Sequence, residues 1–317
     1  GLAAWFAFTM PSAIILFAFA MGATALTGPV AEGILHGLKL VAVAVVAQAI
    51  WGMASSLTPD RERAGIALAA VAIVVFVGGS FGQISAIALG AVAGLALCRG
   101  NGPGPAGHLG FSVSHRHGAV ALVVFAALFV ITPLIAVKTG SQGLALFDAF
   151  YRSGALVFGG GHVVLPLLQA EVVTPGWVSN ADFLAGYGMA QAVPGPLFTF
   201  AAYLGAVTGP PPNGLAGATI ALVALSLPGL LLVYGMLPYW DELRQRPAAQ
   251  AAMRGTNAAV VGILGAAFYS PVWISAVLTP RDFAVALTGF LLLTVWKFAP
   301  WIVVILLAAA GAILRLV

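Results

Sequence analysis

Residues 158–205 read FGGGHVVLPLLQAEVVTPGWVSNADFLAGYGMAQAVPGPLFTFAAYLG. The stretch contains apolar runs that are interrupted by a glycine triplet at 159–161, a polar link at 174–182 and Pro-Gly-Pro at 194–196. Glycine and proline both disfavour the interior of a helix. Inside a membrane, the backbone that they expose is tolerated only where it faces a cavity or the protein interior. The stretch therefore predicts broken helices whose breaks line an internal space.

The composition of the whole chain is that of a membrane protein. Of the 317 residues, 61% are hydrophobic and only 7% are charged, whereas soluble domains carry about 25% charged residues. Apolar runs reach roughly 17–23 residues, the length that a helix needs to cross a hydrocarbon layer of ~30 Å. We predict an all-α integral membrane protein, a polytopic helical bundle with two repeated halves and with broken or re-entrant half-helices.

The charges and the single cysteine exclude several other classes of protein. The formal net charge is +4, but no basic run occurs, so we expect no nucleic-acid partner. Because Cys98 is the only cysteine, a disulfide within the chain and a thiolate metal cluster are both excluded. The sequence contains no GxxxxGK[ST] or HExxH motif. We therefore expect no enzyme activity, no cofactor and no metal site.

Helices are predicted wherever the chain is continuously apolar, and several of them are too short to span a membrane alone. Two pairs of short helices, at 64–79/83–98 and 281–296/300–316, are expected to form tight hairpins. The complete set of predicted helices is 2–21, 34–55, 64–79, 83–98, 118–137, 144–158, 162–173, 183–193, 197–208, 215–237, 252–275, 281–296 and 300–316.

The chain resembles itself at an offset of about 217–221 residues. Residues 9–12, Thr-Met-Pro-Ser, align with residues 226–229, Ser-Leu-Pro-Gly, and Gly37 aligns with Gly255. Repeated halves are common in transporters, which hold the substrate where the halves meet. Whether the repeat is parallel or inverted depends on the number of helices in each half, which the sequence leaves open.

This repeat predicts the domain organisation. We assign residues 1–98 to the first transmembrane repeat, 99–118 to a Gly- and Pro-rich interdomain loop, and 119–317 to the second repeat. The 158–205 stretch has no counterpart in the first repeat, because the offset would place it before Gly1. We expect the parent protein to carry about 60 or more further N-terminal residues that include a second copy of this stretch.

The helix breaks suggest a site for an anion. The first N–H groups of a helix lack partners within the helix and, together with the helix dipole, favour negative charge. Two half-helices starting near Gly161 and Gly195 would cradle one oxyanion, because glycine allows a close approach to the backbone. Neutral side chains nearby would add donors. The predicted contacts are Gly159, Gly160, Gly161, His162, Gln191, Pro194, Gly195, Pro196, Thr199 and Tyr203.

Ionisable residues within apolar runs are candidates for function. Lys39 lies early in a predicted helix and is expected to contact the substrate, and its partner in the repeat is Asn257. Snorkelling to a lipid headgroup is the alternative for Lys39. Asp148 and Arg152 are four residues apart and are expected to pair on one helix face. These two residues and Glu171 are the candidates for coupling to ion movement.

Several of these residues also carry a resemblance to a known family. The pattern FGGG-H-VV-x-P-L-L, followed by Q-A-x-P-G-P-L-F-x-F-A-x-Y-L-G, resembles the signature of the chromate ion transporter family. Residues 37–39 and 254–260 are also similar to that family, and the resemblance covers essentially the whole chain. Long members have two halves, each with a Gly-Gly and a Pro-Gly-Pro motif, whereas this chain has only the second set.

The resemblance implies a secondary active transporter that exports chromate across the bacterial inner membrane as a multi-pass protein, with sulfate as the natural look-alike. An oxyanion channel and a carrier of sulfate or another oxyanion are the alternatives, and both would use the same N–H groups. An intramembrane enzyme is disfavoured by the missing motifs. The sequence leaves open the direction of transport, the coupling ion, and whether a homodimer completes the site.

Overall fold

The computed structural model describes residues 2–23, 28–99, 113–158 and 161–316, and these ranges contain helices and turns without a strand. The chain is therefore all-α over its described residues, as predicted. Short 3₁₀ or π segments adjoin several of the α-helices. The α-helices are α1 (Leu2–Ala23), α2 (Pro29–Leu57), α3 (Arg61–Val77), α4 (Gly79–Leu97), α5 (His115–Thr139), α6 (Gln142–Ala155), α7 (Val164–Leu168), α8 (Asn180–Ala190), α9 (Phe200–Val207), α10 (Gly214–Met236), α11 (Trp240–Gln245), α12 (Pro247–Ala267), α13 (Ile274–Ala276), α14 (Pro280–Thr294) and α15 (Pro300–Leu316).

Six helical segments among the described residues are long and apolar enough to cross a membrane. This length and composition confirm the prediction of a multi-pass membrane protein. The six segments are Leu2–Gly22, Pro29–Leu57, Gly79–Leu97, His115–Thr139, Gly214–Gln245 and Pro247–Ala276. Shorter apolar helices cover Gly161–Val173, Leu197–Val207 and Pro300–Leu316, and the first two of them belong to the stretch that was predicted to be broken.

Local polar residues determine where several helices begin. Ser179 caps α8, because its Oγ accepts a hydrogen bond of 3.0 Å from the Asp182 N–H. Thr279 and Asp282 form a reciprocal capping box at the start of α14. Asp60 caps α3, and the hydrogen bond from the Arg63 side chain lowers the pKa of this carboxyl below its usual value. The cap of α3 is therefore charged at neutral pH.

The helices group into two compact units, each of which combines segments that are distant in sequence. The first unit comprises Gly1–Gly52, Leu168–Val223 and Ala267–Val317, and the second comprises Met53–Leu167 and Ala224–Ala266. Each unit thus draws residues from both predicted repeats. Because the units are defined by contacts and the repeats by sequence similarity, the boundaries at residues 98 and 118 stay a prediction.

In the first unit, α2 crosses α15 at a point where both helices carry glycine. A Cβ added to Gly37 would lie within 3.0 Å of the Leu307 carbonyl oxygen, and a Cβ added to Gly311 would lie equally close to the Gly33 carbonyl oxygen. Glycine is therefore required on both helices for this backbone approach.

In the second unit, α12 crosses α4 at the positions that the predicted repeat aligns with the crossing of α2 and α15. A Cβ added to Gly255 would lie within 3.0 Å of the Gly90 carbonyl oxygen, and one added to Gly94 equally close to the Ala251 carbonyl oxygen. The residue numbers in the two crossings differ by 217 or 218, which falls within the offset of the sequence repeat. In each unit, a helix of one repeat therefore packs against the hairpin of the other repeat.

Candidate functional site

The Pro-Gly-Pro motif breaks the chain between α8 and the helix that starts at Leu197. Gly195 has a φ of +147°, a conformation that residues with a Cβ rarely adopt. Pro196 is extended, with φ −71° and ψ 136°, and directly precedes the helix. The N–H groups of Leu197 and Phe198 therefore lack partners within the helix.

Helix α1 forms a wall of this break in the first unit. The Oγ of Ser12 donates a hydrogen bond to the Pro194 carbonyl oxygen. A Cβ on Gly195 would overlap the same Ser12 Oγ and would lie 3.4 Å from the carbonyl oxygen of Phe8. Both a backbone conformation and a steric contact therefore require glycine at position 195.

Thr9 adds an unsatisfied polar group to this wall. It lies three residues before Ser12, on the same face of α1, and is only 1% exposed. Its hydroxyl has no hydrogen-bond partner. Buried hydroxyls are normally paired, so an unpaired one is expected where a ligand completes the site.

Sequence reasoning missed Thr9, although the repeat contained a signal for it. The Thr-x-Pro of residues 9–11 aligns with the Ser-x-Pro of residues 226–228. In the second unit, Ser226 is also buried, at 8% exposure, and its hydroxyl also lacks a partner. Two equivalent hydroxyls without partners are harder to attribute to chance than one.

The other predicted donors near the break take part in hydrogen bonds within the protein. The Thr199 hydroxyl donates to the Pro196 carbonyl oxygen at 2.9 Å, and the Gln191 amide donates to the Tyr187 carbonyl oxygen at 3.5 Å. The Tyr203 hydroxyl donates to the Asp182 carbonyl oxygen at 3.1 Å, and its ring is almost fully buried. The oxyanion contacts of these three residues stay predictions.

Lys39 lies on a different part of the first unit's surface. It is half-buried on α2, next to Leu38, whose backbone packs against Gly188 of α8. Its ammonium group interacts electrostatically with Asp182, and it lines a polar cavity with His36 and Asp282.

The second unit holds the described part of the glycine triplet. Gly159 and Gly160 lie outside the described residues, whereas Gly161 and His162 form a 3₁₀ turn with Val163. Val163 packs in a buried cluster with Leu167 and with Val260 of α12.

Asn257 lies one helical turn before Val260 on the same face of α12, and its amide oxygen is buried without a hydrogen-bond partner. The second unit thus combines the start of a half-helix with an unsatisfied amide on the helix that packs against it. The contacts of Gly161, His162 and Asn257 with an oxyanion stay predictions.

The coupling candidates lie on helices outside the Pro-Gly-Pro break. Asp148 and Arg152 pair on α6 as predicted, with 3.3 Å between the Asp148 Oδ2 and the Arg152 Nε, and the guanidinium also stacks over Phe129 at 5.3 Å. Glu171 lies in a π-helical segment, Gln169–Val173, that follows α7. A role in coupling stays a prediction for all three residues.

Together, these features define a polytopic α-helical membrane protein whose short helices break at glycine and proline beside buried, unsatisfied polar groups. A family model described as Chromate transporter matches residues 1–96 and 144–312. The chain therefore belongs to the chromate transporter family, and the resemblance seen in the sequence is confirmed.

Individual relatives agree with this assignment. The chain is 29% identical over 204 residues to a chromate transport protein of Pseudomonas aeruginosa, covering 61% of this chain and 47% of the relative. It is 30% identical over 169 residues to a chromate transport protein of Cupriavidus metallidurans, covering 53% and 40%. It is also 32% identical over 161 residues to the uncharacterized transporter YwrA of Bacillus subtilis, covering 48% and 85%.

The chain spans about half the length of the chromate transport proteins that it matches. No solved structure matches it.

Proposed function

We propose that this chain carries a tetrahedral dianion, chromate or its look-alike sulfate, as a secondary active transporter that exports it across the bacterial inner membrane. The observation that supports the proposal best is the break at Gly195, where backbone N–H groups without a partner in their own helix and the unsatisfied Thr9 hydroxyl belong to neighbouring segments of one unit. The names of the chromate transport proteins among its relatives support the same class of substrate.

The chemistry of the break suits such an anion. The oxygens of a chromate or sulfate dianion are hydrogen-bond acceptors, and the break offers donors for them: the N–H groups of Leu197 and Phe198 and a hydroxyl that can rotate toward the ligand. The positive end of the helix dipole at Leu197 adds to the attraction. Glycine at position 195 leaves the peptide unshielded, so that an oxygen can approach the backbone closely.

Two further groups of residues belong to the proposal. In the second unit, Gly159, Gly160, Gly161, His162 and Asn257 are proposed contacts of the oxyanion. Gln191, Thr199 and Tyr203 in the first unit would need to exchange their present hydrogen bonds to contact it. A single cradle formed by both half-helices stays a prediction.

The energy source of the proposed transport is an ion gradient or the exchange of a second anion, because the sequence has no P-loop for a nucleotide. The Asp148–Arg152 pair and Glu171 are the proposed coupling groups. A charged pair within a membrane protein is costly to maintain and is therefore often functional.

Counterflow in proteoliposomes tests this function. Vesicles containing the chain are loaded with unlabelled sulfate, and the uptake of labelled sulfate is measured against external chromate, phosphate or chloride. We expect chromate and unlabelled sulfate to compete, and phosphate and chloride to compete weakly, because phosphate carries a proton that would face donors and chloride is not tetrahedral. Uptake that does not depend on the internal sulfate, together with an electrical current, would indicate a channel and overturn the carrier proposal.

A further inference from the structure

A polar cavity of about 480 Å³ lies in the first unit, apart from the residues of the Pro-Gly-Pro break. The first turns of α2, the start of α14 and the end of α15 line it. Its ionisable side chains are Glu32, His36, Lys39, Arg281, Asp282 and Arg315. A volume of this size accommodates a tetrahedral oxyanion together with water molecules.

The charges of the cavity are unevenly neutralised. Arg315 pairs with Glu32 at 2.8 Å, and both side chains are 60% exposed. The second carboxylate, Asp282, is bound by other groups of α14 and α2. Lys39 and Arg281 are therefore the cations that neither of these interactions neutralises. With a neutral histidine, the cavity has three cations and two carboxylates.

Asp282 fixes which ring nitrogen of His36 carries a hydrogen. One oxygen of the buried Asp282 carboxylate accepts hydrogen bonds from the Leu278 N–H at 3.1 Å and from the N–H and hydroxyl of Thr279 at 2.9 and 3.0 Å. An oxygen with three donors belongs to an ionised carboxylate. The other oxygen lies 2.7 Å from the His36 Nε2, which must then carry the hydrogen and donate it.

The charged groups that line the cavity are Glu32 and Lys39 on α2, Arg281 and Asp282 on α14, and Arg315 on α15. Lys39 also interacts electrostatically with Asp182 on α8. An oxyanion in the cavity would therefore find Arg281 and Lys39 as its cations and share Lys39 with Asp182.

The equivalent region of the second unit is built differently. The repeat aligns Arg254 with His36, Gln250 with Glu32 and Asn257 with Lys39. Arg254 donates hydrogen bonds of 3.0 Å to the Cys98 carbonyl oxygen and 3.0 Å to the Gln250 side chain. In the second unit, the cation Arg254 is thus bound by groups of its own unit, whereas in the first unit the cavity lining has one more cation than it has carboxylates. The two units thus share the helix crossing but not the charged cavity, which belongs to the first unit.

We infer that the cavity lined by His36, Lys39 and Arg281 is a second oxyanion site, which binds a sulfate- or phosphate-type dianion. The site is separate from the Gly195 break. Its relevance to transport rests on the proposed function, but its binding chemistry does not. The oxyanion can be a free ion or the phosphate of a lipid headgroup, because both present the same acceptor oxygens.

Binding of labelled sulfate to the purified chain in phosphatidylcholine nanodiscs tests the inference. Lys39→Gln and Arg281→Gln should each weaken binding about ten-fold, the effect of one lost charge contact. Lys138→Gln, at the exposed end of α5, is the matched control and should bind as the unaltered chain does.

Each variant is also measured together with Gly195→Ala, so that the two proposed sites are separated. Sulfate binding that survives Gly195→Ala and is lost in Arg281→Gln would establish the cavity site even if counterflow failed. Tighter sulfate binding in a phosphate-free maltoside detergent than in the nanodiscs would identify a lipid phosphate as the competing occupant, whereas equal binding in both would identify a free oxyanion. Unchanged affinity in both Lys39→Gln and Arg281→Gln, with both variants folded, would overturn the inference.

Discussion

At the scale of single residues, Gly195 and Thr9 are the central residues of the proposed oxyanion site. Substitutions at the two positions differ in how far they affect stability as well as binding. Gly195 is constrained by both its backbone conformation and its contact with Ser12, so a substitution there disturbs structure and binding together. Thr9 is a buried hydroxyl without a partner, and the structure gives it no stabilising role of its own. A substitution at Thr9 therefore separates stability from binding more cleanly than one at Gly195 does.

Replacing Thr9 with valine keeps the shape of the side chain and removes the hydroxyl. Because an unpaired buried hydroxyl costs about 1–3 kcal/mol, we expect Thr9→Val to have an unchanged or higher melting temperature. The same variant should bind sulfate about ten-fold more weakly, through the loss of one hydrogen bond to a charged ligand. Calorimetry and equilibrium binding measure the two effects.

Thr219→Val is the matched control for this variant. The Thr219 hydroxyl is exposed and bonds to the Leu215 carbonyl oxygen of its own helix at 2.8 Å, so its removal should leave sulfate binding unchanged. If Thr9→Val bound sulfate as tightly as the unaltered chain, the hydroxyl would not belong to the oxyanion site.

At the scale of helices, the sequence predicted the breaks and the hairpins better than it predicted what packs against them. The half-helices were expected near 162–173 and 197–208, and the structure has Gly161–Val173 and Leu197–Val207. These breaks were predictable because glycine and proline act locally on the backbone. The contact of Gly195 with Ser12 links residues 183 positions apart, and no local pattern encodes such a contact.

The crossing glycines give a test of packing at this scale. Gly255→Ala would place a Cβ against the backbone of Gly90 and Gly94, and overpacking of this kind typically costs about 1–3 kcal/mol. We expect a lower melting temperature for this variant in detergent. Gly65→Ala, at a helical position with nothing within 4 Å, should instead gain up to about 1 kcal/mol from helix propensity. Equal stability of the two variants would mean that the crossing does not need glycine.

At the scale of the whole molecule, the repeat was visible in sequence but the composition of the compact units was not. Similarity at a fixed offset predicts that Gly37 and Gly255 are equivalent, because both occupy the same place in a repeated pattern. It did not predict that Gly37 packs against Gly311 of the other repeat, because a sequence repeat identifies corresponding residues and not the residues that contact each other. The cavity at His36 was missed for the same reason: it joins α2 to the hairpin of the other repeat, through a contact 246 residues apart.

The class of protein was predictable from composition and motifs together. The low fraction of charged residues required a membrane, and the broken helices suggested an anion site, so the family match agreed with a reading already based on physical chemistry. Composition contains no information about which anion is carried, because the backbone donors at the break fit any tetrahedral dianion.

The most direct test of the central claim, that the break at Gly195 holds the transported oxyanion, is sulfate counterflow by a matched pair of glycine variants. Gly195→Ala adds a methyl group at the break, whereas Gly229→Ala adds the same group to α10 at a position with nothing within 4 Å. We predict that Gly195→Ala loses sulfate and chromate counterflow while Gly229→Ala retains it, with both variants present in the vesicles at equal amounts and folded. Counterflow by Gly195→Ala at the rate of Gly229→Ala would contradict the claim.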